Sequence, residues 1–274
     1  MKIDAHQHFW TYDEENYDWI DESMSAIRKN YLPKDLAPIL VENKIDGCVL
    51  VQVNQTEKET LDFAAHAKKH DFIKGVVGWT DLMSEELDEK LQEYKKIPSV
   101  KGFRHILQGE PEGFMLQEEF IKGVNKLSEY GFTYDVLIFP IQMKEAKQLM
   151  KACPETNFVI DHMAKPYVKT GQILPWANYM QKYGEMPNVT CKLSGMVTEA
   201  NWEYWEKEDF FIYLDTALQS FGIDRLMYGS DWPVCLVAAT YEKQLGIVQE
   251  YFSKLSQNEQ NKIFGDNAVK FYNL

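Results

Sequence analysis

Short runs of apolar and β-branched residues recur along the chain, over 2–8, 46–53, 73–79, 99–105, 132–138, 157–162, 189–194 and 226–231. Between most of them lie stretches with apolar residues three and four apart, the spacing of an amphipathic helix: 60–67, 86–94, 118–130, 143–152 and 210–221. Asp46-Gly47, Tyr130-Gly131 and Phe221-Gly222 each place a glycine between a helical stretch and the following run, where a helix ends and a strand begins. Strand and helix in alternation predict parallel pairing, and eight such units in about 250 residues predict a (β/α)8 barrel, regular or distorted. One domain over residues 1–274 accounts for the pattern, with no linker, low-complexity tract or short repeat. The longest irregular stretch follows the first run and carries Trp10, Tyr12, Tyr17 and Trp19. These aromatics either cap a substrate pocket or pack a long loop onto the barrel.

Composition narrows the functional classes. The chain has 42 acidic and 29 basic residues, a formal charge of −13, which argues against nucleic acid and anionic membranes as partners. No apolar stretch approaches the roughly 18 residues of a membrane helix, and the N-terminus lacks the basic and apolar regions of a signal peptide. A cytoplasmic protein is therefore expected. The four cysteines, Cys48, Cys153, Cys191 and Cys235, are widely spaced and form no CxxC pair, so reduced buried thiols are expected. GxGxxG, Walker-type and GxSxG motifs are missing, which removes dinucleotide binding, P-loop chemistry and serine hydrolysis as first readings.

In a (β/α)8 barrel the chemistry sits at the C-terminal ends of the strands, and His6, His8, His162 and Asp231 all fall there. Two residues apart on a strand, His6 and His8 share a face and can point together at one metal ion or one substrate oxygen. Asp231 ends the last run, which a closed barrel places beside the first, and two imidazoles facing a carboxylate suit hydrolysis. Arg104 and His105 end the fourth run and face opposite ways; Arg104 is expected inside, as a cation for an anion or a developing oxyanion. Asp135 and Lys192 are charges inside apolar runs, so each needs a partner or a ligand. His66 and His70 are four apart in a helical stretch, but with no glutamate between them and solvated neighbours they are not read as a metal site.

Asp4-Ala5-His6-Gln7-His8-Phe9-Trp10, Val51-Gln52-Val53, Gly102-Phe103-Arg104-His105, Asp161-His162-Met163-Ala164-Lys165-Pro166, Cys191-Lys192-Leu193-Ser194-Gly195 and Arg225 through Pro233 together resemble the amidohydrolase superfamily. The likeness runs nearly end to end. It lies with the superfamily's lactonase branch, the L-fuconolactonase and L-rhamnonolactonase kind. The resemblance implies metal ligation by His6, His8 and Asp231, with Asp231 handling the proton of the attacking water. The chain departs from the two-metal pattern of a bridging lysine or glutamate on the fourth strand and histidines on the fifth and sixth. It offers Arg104 or His105, then Asp135, then His162, so one divalent ion, zinc in the first instance, is expected, with metal-free catalysis as the alternative.

The expected reaction is hydrolysis of a sugar-acid lactone, a small-molecule substrate, to the aldonate. Asp231 and His162 are the expected catalytic groups, with Arg104, Gln52, Trp10 and Asp135 contacting the substrate. The rival readings are a metal-dependent decarboxylase of an aromatic acid and a sugar-acid binding protein without catalysis. Homo-oligomerisation is left open.

Overall fold

Parallel strands covered on both faces must be apolar almost throughout, and the eight runs supply that. In the computed structural model, which describes residues 1–274, they form β1 (Ile3–Gln7), β2 (Gly47–Val51), β3 (Ile73–Gly78), β4 (Val100–Ile106), β5 (Thr133–Leu137), β6 (Phe158–Ile160), β7 (Val189–Leu193) and β8 (Leu226–Tyr228). Each pairs in parallel with the next in sequence. The barrel closes just beyond β8, where the His8 amide donates to the Trp232 carbonyl at 2.7 Å and the Asp231 amide to the His6 carbonyl at 2.8 Å. The expected (β/α)8 architecture is the observed one.

Helices α1 (Pro33–Glu42), α2 (Glu57–Lys69), α3 (Leu87–Lys95), α4 (Glu118–Glu129), α5 (Met143–Ala152), α6 (Trp176–Gly184), α7 (Phe211–Phe221) and α8 (Tyr241–Tyr251) surround the strands. α9 (Gln257–Asn261) and α10 (Asn267–Tyr272), joined by a π turn, complete the chain. The outward strand residues, among them Leu50, Phe103, Tyr134, Phe158 and Leu226, are buried against these helices. None of the helices is long and apolar enough to cross a membrane. All four cysteines are buried and unbonded.

The inward residues stack in layers. Ile3, Ala5, Val49, Val51, Val77, Val159 and Met227 fill the lower lumen, and Ala268 and Tyr272 of α10 pack into the same cluster. Above this plug lie Asp135, Lys192, Arg104, Asp161 and His6, and above them His8, His162 and Asp231 at the mouth. β6 and β8 end earlier than the sequence pattern suggests, at Ile160 and Tyr228 rather than 162 and 231. The cause is local: His162 and Asp231 take left-handed backbone, with φ of 52° and 59°, which no strand accommodates.

Candidate active site

β1 delivers two imidazoles because its register with β2 slips between Asp4 and Gln7. Ile3 and Ala5 point into the lower lumen, whereas Asp4 points outward to Tyr241 of α8. The slip turns this parity over, and His6 and His8 face inward above Ala5. Gly229 makes room: a Cβ there would stand 2.7 Å from the Cβ of His6. Asp4, fully buried, accepts from the Ser230 amide at 2.8 Å and the Tyr241 hydroxyl at 3.1 Å, so it fixes β1 against the segment carrying Asp231.

Three ligand-type atoms converge at the mouth. His6 Nε2 and His8 Nε2 are 3.1 Å apart, and Asp231 Oδ1 lies 3.9 Å from the first and 3.4 Å from the second. A tetrahedral ion with bonds of about 2.0–2.1 Å wants ligand separations near 3.4 Å, so this triangle fits one ion. His8 Nδ1 meets the Val51 carbonyl at 2.8 Å, which holds its proton there and leaves Nε2 free to ligate. His6 Nδ1 lies 3.3 Å from Asp161 Oδ1, the carboxylate–imidazole support that metal-binding histidines use. A second triple, His6, Asp161 and His162, also has its donor atoms within 4.8 Å, but Asp161 is already engaged by two cations.

His162 comes from a turn in which His162, Met163, Ala164 and Lys165 all have φ between 50° and 57°. Non-glycine residues in left-handed backbone cost about 1–2 kcal/mol each, so the turn needs support. Trp176 Nε1 donates to the Met163 carbonyl at 2.6 Å, and the Lys165 amide to the His162 carbonyl at 2.8 Å. His162 Nδ1 is 2.9 Å from Ser194 Oγ, and its Nε2 is 3.9 Å from Asp231 Oδ1. Gly195 lies so close to the ring that a Cβ there would sit 2.6 Å from His162 Nδ1.

Arg104 points into the barrel and His105 outward to Trp79 and Glu110. Arg104 Nη1 donates to Asp161 Oδ2 at 3.0 Å, and Nη2 to the Gln52 carbonyl. Lys192 Nζ bridges Asp135 at 2.5 Å and Asp161 at 3.0 Å, and stands 3.2 Å from His6 Nδ1. Burial drives His6 and His162 well below the ordinary imidazole range, so both are neutral near pH 7. For Asp231 burial works upward, but the facing imidazoles of His162 and His8 outweigh it and keep the carboxyl below its ordinary value.

His8, Arg104, His162 and Asp231 open onto one cavity of about 390 Å³, within the common range for small-molecule sites. Trp19, from the aromatic loop after β1, also lines it. Three expected substrate contacts do not line this cavity. Trp10 is buried beneath its loop, its indole donating to the Lys29 carbonyl at 2.9 Å, with Tyr17 and Tyr31 against the ring. Gln52 is fully buried and spent on Arg104: its Nε2 donates to the Arg104 carbonyl at 3.1 Å and its Oε1 receives Nη2 at 3.3 Å. Asp135 lies under Lys192, where the Tyr272 hydroxyl donates to both its oxygens, fully buried and outside the cavity lining. Residue reading missed Asp161, whose signal is an acid directly before a strand-end histidine. It also missed Gln108, Lys165, Glu199 and Trp202, loop residues whose place in the cavity no periodicity announces.

The chain is 34% identical to an L-fucono-1,5-lactonase of Burkholderia multivorans, with 100% of this chain and 96% of that protein covered. A crystal structure of an amidohydrolase from Burkholderia multivorans with bound zinc superposes with a TM-score of 0.96 at 35% identity, covering 100% of this chain and 99% of that one. A solved 2,6-dihydroxybenzoate decarboxylase from Rhizobium shares the fold alone, at a TM-score of 0.68, 13% identity and coverage of 99% of this chain and 98% of that one. With the amidohydrolase family pattern matching residues 3–274, the chain belongs to the amidohydrolase family.

Proposed function

We propose that the protein hydrolyses a sugar-acid lactone of the L-fucono-1,5-lactone kind to its aldonate, as a hydrolase acting on a carboxylic ester bond. The observation that carries this reading is the convergence of His8, His162 and Asp231 on one cavity, with the buried His6 ring directly behind them, in a chain similar over its whole length to a lactonase. The decarboxylase reading has only a shared fold behind it.

His6, His8 and Asp231 would hold one divalent ion, and the zinc-bound relative supports zinc. Such an ion supplies Lewis acidity at the lactone carbonyl. The residues do the rest. Asp231 stays ionised because its neighbours hold its carboxyl low, so it accepts a proton as water attacks the carbonyl carbon. The acyl–oxygen bond of the ring breaks, and the proton returns to the departing alkoxide, leaving a hydroxy acid. Arg104, fixed by Asp161 and Gln52, and neutral His162, fixed by Ser194, face the cavity where the oxyanion develops.

Acid release by the purified protein from a panel of L-fucono-, L-rhamnono-, D-arabinono- and D-galactono-lactones, followed with a pH indicator, tests this reading. Turnover of at least one lactone above the uncatalysed rate is the expected result. Silence across the panel by folded, zinc-supplemented protein, with carbon dioxide released from dihydroxybenzoates, would overturn it in favour of decarboxylation.

A further inference from the structure

We propose that the Lys165–Glu199 ion pair is the specificity element of the cavity, a donor–acceptor clamp that reads two neighbouring hydroxyls on the substrate ring. The pair bridges the turn after β6 and the loop after β7, with Nζ 2.6 Å from Oε1. Both side chains line the cavity that holds Asp231 and are 18% and 21% exposed, unlike the solvated Lys58–Asp62 pair at 85% and 55%. Held to each other, they are still not exhausted. Glu199 Oε1 takes Lys165 and a long contact from Thr198 Oγ1, whereas Oε2 receives no protein donor and Lys165 Nζ makes no other hydrogen bond.

The chemistry of the ligand follows from what is unspent. The pair is neutral as a unit, so it offers no net attraction to a carboxylate or phosphate. It offers ammonium protons beside a free carboxylate oxygen, the complement of two adjacent hydroxyls, one accepting and one donating. Trp202, its indole tied to the Thr198 carbonyl at 2.9 Å, lines the same cavity and supplies a flat apolar face for the C–H side of a sugar ring. The location is close to the candidate centre: Lys165 follows His162 in one left-handed turn, and the pair shares its cavity with His162 and Asp231. Lys165 reaches this place only through the strained left-handed turn, which ties its position to that of His162.

The inference rests on the lactonase reading, and the two fail separately. Glu199→Ala and Lys165→Met are compared with wild type on a 1,5-lactone and on its analogues lacking or inverting one ring hydroxyl at a time. The expected result is a loss of about tenfold or more in kcat/KM, mostly through KM, on the lactone that carries both hydroxyls. On the analogue lacking the one that is read, the variants match wild type. An equal loss on every lactone, or a lowered melting temperature with discrimination intact, would make the pair a structural tie and overturn the proposal. If wild type turns over no lactone, the reaction reading falls. Calorimetric binding of the same lactones then decides: discrimination lost in Glu199→Ala supports the clamp, and unchanged discrimination overturns it.

Discussion

Asp161 shows how a single side chain organises the site. Its two oxygens take Arg104, Lys192 and His6, so one fully buried carboxylate orients a cavity cation, a buried cation and a candidate metal ligand together. Burial pushes its carboxyl upward, but Lys192, then His6 and Arg104, outweigh that and hold it well below the ordinary carboxylate range. The chain of contacts continues downward through Lys192 and Asp135 to the Tyr272 hydroxyl, at 2.8 and 3.0 Å from the Asp135 oxygens. Tyr272→Phe removes that donor while keeping the ring that packs in the lower lumen. It is expected to cost about 1.5–3 kcal/mol in denaturant unfolding, the usual worth of a hydrogen bond to a charged group, and to lower kcat more than it raises KM. Unfolding and steady-state kinetics on the same preparation check both parts.

Among the elements, the least regular ones make the site. The slipped register of β1 presents the histidines, the left-handed turn after β6 presents His162 and Lys165, and the break after β8 presents Asp231. The β2–α2 junction is held differently: Glu59 of α2 accepts from the Val53 and Asn54 amides, fixing the loop beside Gln52. Burial raises the Glu59 carboxyl to about 7, against 4.5 when unfolded, despite those donors. The fold therefore keeps a proton that the unfolded chain has released, so stability falls as pH rises from 4.5 to 7 and levels off above. Glu59→Gln, which keeps an acceptor but has no charge to bury, is expected to flatten that decline, read as denaturation midpoints at pH 4.5, 5.5 and 7.

Regular elements were legible in the sequence because their period repeats. All eight strands follow from apolar spacing, as do α2, α3, α4, α5 and α7 between them, and with them the barrel and its active end, whereas α1, α6 and α8 were not read from it. The mouth residues His6, His8, His162 and Asp231 were legible because a strand end is itself a positional signal. Residue type could not say which polar side chains face the cavity. Gln52 and Asp135 look like ligand contacts in sequence, yet they serve Arg104 and Lys192, because a buried charge needs a protein partner before a substrate arrives. Trp10 looked like a cap, but its loop folds it inward and leaves Trp19 at the cavity. Lys165 and Glu199 meet only through tertiary structure.

At the level of the whole molecule, an acidic chain of −13 surrounds a centre in which each cation is already matched. Lys192 and Arg104 are held by Asp135 and Asp161, and Lys165 by Glu199. That balance suits a neutral polyhydroxylated ring better than an anionic aromatic acid, and it leaves Asp231, the proposed base, within reach of three imidazoles. The deciding measurement is kcat/KM for L-fucono-1,5-lactone in wild type and Asp231→Asn, with folding checked by circular dichroism. General-base catalysis by Asp231 requires a drop of about 10² to 10⁴-fold in the variant. A folded Asp231→Asn protein within about threefold of wild type would contradict the assignment of the reaction to this centre.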